Sequence, residues 1–238
     1  MSTPAASPSL AEPLQKIRSV ALLMVIGYLL TGIGDLMIVL SMPTILAAPA
    51  APHNVLHAIF GSIVAIIFLL IGFTVILIGL YMGLVPGVRR LSKVDDRFST
   101  ASTLIRIGYV WGVILLIVGI IVAVMGIIFY LPATMSHGGQ FITGGALMAL
   151  AAGMVIIIIS LILVILGYIG IIILAFKFND VEHDGLYLAA GILFILGIII
   201  PFAMFVAWIL MYIALGRSIE RLKTTPQPPA PASAPSLV

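Results

Sequence analysis

Asp35, in the stretch "GIGDLM", is the one carboxylate inside an apolar run of this chain. A charged side chain at the centre of a bilayer costs about 2.5–3.5 kcal/mol on insertion scales, so such a group points to a proton or ion path, or to a partner. Tyr28 and Thr31 precede it by seven and four residues, which places all three on one face of a helix. Asp35 falls sixteen residues past Ser19, about 24 Å at helical rise, near the outer interface. His57 opens the next apolar run and is expected at similar depth. Asp35, Tyr28, Thr31 and His57 therefore form the candidate polar site. A hydrated interfacial acid, or one paired with His57, accounts for the same residues without transport.

Other chemistry is thinly supported. His53 and His57 are four apart, a spacing that can chelate a transition metal, with Asp35 and His137 on the same side. Four-residue histidine pairs are common by chance, so no metal is expected, and no haem. Asp180, Glu182, His183 and Asp184 in "FNDVEHDG" are too loosely spaced for a catalytic or metal centre; they are expected to pair with a basic loop. Nucleotide-binding, zinc-protease and nucleophile-elbow motifs are absent from the sequence. Neither catalytic residues, a cofactor nor a nucleic-acid partner is expected, and the chain reads as a non-enzyme.

The elements that must carry Asp35 are membrane spans. Of 238 residues 63% are hydrophobic and 8% charged, against about 25% charged in soluble domains. Apolar runs at 19–41, 56–85, 105–131, 144–176 and 186–216 each reach the roughly 20 residues that cross a ~30 Å hydrocarbon core. Residues 1–18 and 219–238 are Pro-, Ala- and Ser-rich at their outer ends and read as extended tails around a bundle at 19–218. Aromatic residues near span ends, among them Tyr81, Tyr109 and Tyr187, read as interfacial anchors.

Basic residues set the orientation. Lys16 and Arg18 precede the first run, and Arg89, Arg90, Lys93, Arg97 and Arg106 cluster between the second and third. This cluster suits anionic lipid or a docked partner, and the hydroxyls from Ser99 to Thr103 are expected to cap the span that follows. With positive charge inside, the N-terminus is cytoplasmic. Five crossings would leave Arg217, Arg221 and Lys223 outside. Pro201 in "GIIIPFAM" offers a remedy: helices at 184–199 and 202–218 would form a short hairpin, returning the C-terminus to the cytoplasm. A single kinked fifth span is the alternative. The hairpin would complete a loose series of three helix pairs.

Small residues recur every seventh position: Gly27 and Gly34; Gly72 and Gly79; Gly112, Gly119 and Gly126; with Gly153 and Gly167 in the fourth run. Glycine costs roughly 1 kcal/mol against alanine inside a helix. The return is close backbone approach, because van der Waals packing is a chief adhesive between helices in lipid. The expected fold is all-α: a polytopic transmembrane bundle of four long spans plus a Pro-broken hairpin or fifth span, packed along small-residue heptad seams.

Two segments, "RRLSKVDDRFSTASTLIRIGYVWG" and "GILFILGIIIPFAMFVAWILMYIALGRSIERL", resemble an uncharacterised family of hydrophobic archaeal multi-span membrane proteins with no assigned activity. The resemblance implies a cell membrane and supplies no catalytic residues. The function expected is an accessory or scaffold subunit meeting lipid, other membrane subunits or copies of itself, with a small transporter or channel built on Asp35 as the alternative.

Overall fold

A computed structural model describes residues 11–46, 55–136 and 144–224, and every regular element among them is helical. Helix α1 (Ala11–Leu46) rises from the basic end. Helix α2 (Val55–Ile78) descends, passes through a π-helical turn (Gly79–Leu84) and continues as α3 (Val85–Val94). A short 3₁₀ turn (Asp96–Phe98) reverses the chain into α4 (Ser99–Ile105), a second π-helical turn (Arg106–Trp111) and α5 (Gly112–Ser136). The chain descends along α6 (Gly144–Glu182), rises along α7 (Gly185–Leu196) and returns along α8 (Pro201–Thr224).

Five stretches are long and apolar enough to cross a bilayer: Ala11–Pro43, Phe60–Val94, Asp96–Ile128, Leu147–Glu182 and Pro201–Thr224. The protein is an all-α polytopic membrane bundle. Helix α7 is the exception, its 12 residues rising about 18 Å. The turn after it closes with Gly197 and Ile200 N–H groups donating to Leu193 and Leu196 carbonyls, each at 2.8 Å. Pro201 then opens α8, where its missing N–H is no loss. The last apolar run is thus divided at the proline, but unequally: 185–196 and 201–224 rather than 184–199 and 202–218.

Helix α8 retraces α7. The Tyr187 and Ser218 hydroxyls meet at 2.9 Å, and the Phe194 ring stands edge-on to Trp208 with centroids 5.1 Å apart. Leu14 and Ile17 of α1 share one core with Leu215 and Ile219 of α8, so both described chain ends lie at the same end of the bundle.

Three sequence boundaries move. Helix α1 begins at Ala11 within the expected tail 1–18, because Leu14 and Ile17 are buried there. Helix α8 continues to Thr224 into the expected tail 219–238, with Ile219 buried. The basic segment at 86–104 is mostly helix, since Val88, Leu91, Phe98 and Ala101 are core residues. The Ser99–Thr103 hydroxyls do not cap. Instead the Asp95 carboxylate accepts from the Arg97 N–H, and Phe98 stands at the start of α4 without a side-chain cap.

The small residues fix two antiparallel seams. A β-carbon on Gly27 would stand 3.0 Å from the Gly72 carbonyl, one on Gly72 2.8 Å from that of Gly27, and one on Gly34 2.9 Å from that of Ala65. The seam descends past Gly79, where a β-carbon would stand 3.3 Å from Leu23, to Gly83 and Gly87, which face Val20 and Ile17. In the second hairpin Gly112 faces Val164, a β-carbon on Gly119 would stand 2.8 Å from the Ile157 side chain, and one on Gly153 2.6 Å from the Ala123 nitrogen. Gly167 packs on Tyr109, whose ring a β-carbon there would meet at 2.9 Å, and Gly126 is buried on α5. The tightest approach of one backbone to another is Gly108 against Gly167, where an added β-carbon would also stand 2.6 Å from the Leu163 carbonyl. Buried Ser160 ties this seam by donating to the Gly112 carbonyl at 2.8 Å.

The two hairpins converge at the basic end. There Phe98 packs tilted on Phe178, which stacks on Tyr187, with centroids 5.0 and 5.2 Å apart, and α7–α8 wedges between α1 and α6. Farther out, α1 with α2 and α5 with α6 each stay paired, but the pairs make little contact with one another.

Candidate functional site

A cleft opens where α1 rises past the start of α8. Its cavity, about 540 Å³, is walled by Leu29, Ile33 and Leu36 of α1 and by Pro201, Phe202 and Phe205 of α8. Asp35 is the single carboxylate on this apolar lining, and its side chain is exposed to the cleft. Among the described residues no ion pair or hydrogen bond reaches it.

Tyr28 and Thr31 do share the cleft with Asp35, as their spacing requires. Their polar atoms are engaged elsewhere. The Thr31 hydroxyl donates back to the Gly27 carbonyl at 2.6 Å, and the Tyr28 hydroxyl faces the Trp208 indole. His57 is not a neighbour. Gly34 lies opposite Ala65 and Leu69, and His57 precedes Ala65 by eight residues on an antiparallel helix, about 12 Å farther out. The equal depth expected from sequence fails because the hairpin register, not distance from the span end, sets the level. The His57 side chain, His53 and His137 lie outside the described residues. No group of three or more metal-binding side chains occurs among those described.

Tyr81, Tyr109 and Tyr187, expected at the interface, are instead engaged within the bundle, while Trp111 is exposed as expected. Tyr187 is fully buried, and Tyr81 donates to the Tyr109 carbonyl at 2.8 Å, joining the two π-helical turns. Tyr168 donates to the Phe194 carbonyl and braces the α7 end. Sequence alone conceals this, because the helices run on through the segment that reads as a loop.

The basic cluster is divided. Arg89, Arg90 and Lys93 are exposed on the last turns of α3, with Arg90 paired to Glu12 of α1. Arg97 clamps Asp95, its Nη2 at 2.8 Å and its Nε at 3.0 and 3.1 Å from the two oxygens. These hydrogen bonds from the Arg97 side chain hold the Asp95 carboxyl below its usual value of 3.8. Arg106 stands apart, nine residues up on the second π-helical turn and exposed. Asp180 of the acidic stretch interacts electrostatically with Arg97 of the basic turn, but the close ion pairs of the stretch are made elsewhere. Asp184 caps α7 through the Leu186 N–H at 3.1 Å and accepts from Arg221 of α8 at 3.3 Å, while Asp180 pairs with Lys177.

A family model described as "Protein of unknown function (DUF973)" matches residues 11–238. The chain belongs to this family. No curated protein and no solved structure matches it. The DUF973 match begins at the residue that starts α1 and runs past the end of α8, so the family unit includes the whole bundle rather than one hairpin. It also includes both walls of the Asp35 cleft and the basic end.

Proposed function

We propose that this DUF973 protein is a non-enzymatic accessory or scaffold subunit of a larger membrane complex, and that Asp35 is where a partner docks. One observation carries the reading: a carboxylate exposed in an apolar cleft, with no counter-charge among the described residues. An ionised acid on an apolar lining gains from a counter-charge, and acids within spans are characteristically paired. The complement is a transmembrane helix that fills the groove beside α1 and α8 and brings a lysine or arginine to Asp35. A second copy fits less well. Tyr28 and Tyr109 sit close enough to interact electrostatically. Asp35 lies seven residues outward of Tyr28 and Arg106 three residues inward of Tyr109, so the two charges differ in depth by about 15 Å. In this reading the basic end faces the cytoplasm of a cell membrane, with both termini inside.

The cavity itself favours a second reading, a small transporter that uses Asp35 to carry a proton or cation. Reconstitution of the purified chain into liposomes separates the two. The subunit reading expects proton flux at the level of protein-free liposomes. A protein-dependent flux that disappears in Asp35→Asn, with the fold intact, establishes the transporter instead.

A further inference from the structure

Charge bias explains why Arg18 precedes the first span; it does not explain how the side chain is held. The guanidinium lies against α8. Its central carbon is 4.7 Å from the centre of the Tyr212 ring, and its Nη2 is 3.5 Å from the Tyr212 hydroxyl. Beneath it is Gly216, where a β-carbon would stand 3.0 Å from Nη2 and 3.1 Å from the central carbon, so the guanidinium is seated against the α8 backbone. The Arg18 Nε is buried without a hydrogen-bond partner, and among the described residues no carboxylate pairs with Arg18. Arg90 meets Glu12, Arg97 meets Asp95 and Arg221 meets Asp184, whereas Arg18 rests on an aromatic ring instead of a carboxylate.

We propose that Arg18 is a receptor for a phosphate group presented by an anionic lipid of the leaflet at the basic end. A planar guanidinium stacked on an aromatic ring keeps its fork rigid, and two of its N–H groups match two phosphate oxygens. Depth selects a lipid over a soluble anion. Arg18 is the last charged residue before the apolar run that begins at Ser19, which is head-group level, and Tyr212 is the amphipathic type of side chain found there. Ser19 does not compete, because its hydroxyl donates to the Gln15 carbonyl. The site is distinct from the Arg89–Arg97 cluster and joins α1 to α8, so an occupied site stabilises the contact between the first and last helices.

The test uses the full chain in a zwitterionic detergent, titrated with phosphatidylglycerol while thermal unfolding is followed. The wild type gains stability in a saturable manner. Arg18→Gln weakens the apparent affinity about tenfold or more, and Arg18→Lys, which keeps the charge but loses the planar fork, weakens it severalfold. Lys223→Gln on the exposed end of α8 leaves it unchanged. If Arg18→Gln does not fold, Arg18→Lys decides. Equal affinity of Arg18→Lys and wild type overturns the site. Stabilisation by inorganic phosphate alone, lost in Arg18→Lys, overturns the lipid assignment in favour of a soluble anion.

Discussion

Tyr81, in the π-helical turn that follows α2, donates its hydroxyl hydrogen to the carbonyl of Tyr109, in the matching turn before α5, at 2.8 Å. A π-helical turn disturbs the regular backbone ladder, and such turns recur at functional positions. Here the two turns lie at comparable distances on either side of the Asp96–Phe98 reversal, and the hydroxyl bridges them where the hairpins begin to part. Tyr81→Phe keeps the ring and removes the donor. We expect a loss of about 0.5–1.5 kcal/mol, seen as a thermal midpoint lower by a few degrees in detergent. An unchanged midpoint would show that the bridge is incidental.

The seams predict a contrast between two glycines. Gly108 abuts the Gly167 backbone, whereas a β-carbon on Gly32 meets nothing within 4 Å. Gly108→Ala must push two backbones apart and should cost about 3 kcal/mol, the upper range for overpacking. Gly32→Ala should be neutral or stabilising by up to about 1 kcal/mol, the helix-propensity gain. Similar thermal midpoints for the two variants would contradict the close-packed seam.

The spans, the helix break at Pro201 and the positions of Gly27, Gly34 and Gly72 on a packing stripe were legible, because each depends on local composition or helical periodicity. What depended on register between helices was not. Gly83, Gly87, Gly108 and Gly170 stand outside the expected series, yet each meets the neighbouring helix at close range. The level of His57 likewise depends on the α1–α2 register. Tyr81 and Tyr109 read as interfacial because the helices extend farther than their apolar runs, and the seating of Arg18 depends on α8, nearly two hundred residues away in sequence.

The Asp95–Arg97 clamp gives a pH dependence. The Asp95 carboxyl is held below its unfolded value near 3.8. Its contribution to stability is therefore fully present above about pH 4 and is lost as pH falls through the lowered folded value. The Arg97 side chain is exposed, so water screens the pair and the effect is small. Asp95→Asn should show that loss at neutral pH and a shallower decline on acidification below pH ~4 than the wild type. An unaltered acid profile would remove the clamp from the account.

The return of α8 along α7 predicts that both termini face one side. A reporter fused after Val238 should read cytoplasmic in a topology assay, as should one fused before Met1. Opposite signals from the two would break the hairpin.

The docking role of Asp35 is tested most directly by purifying tagged wild-type and Asp35→Asn chains from native membranes under mild detergent and quantifying the co-purifying chains by mass spectrometry. The account predicts a stoichiometric membrane partner with a lysine or arginine inside a span. Its recovery should fall about tenfold or more in Asp35→Asn, while the variant keeps wild-type helicity and thermal stability. Recovery should return when Asp35→Lys is combined with an acidic residue at the partner's basic position. Undiminished recovery in Asp35→Asn, or a wild-type chain that purifies alone, would contradict it.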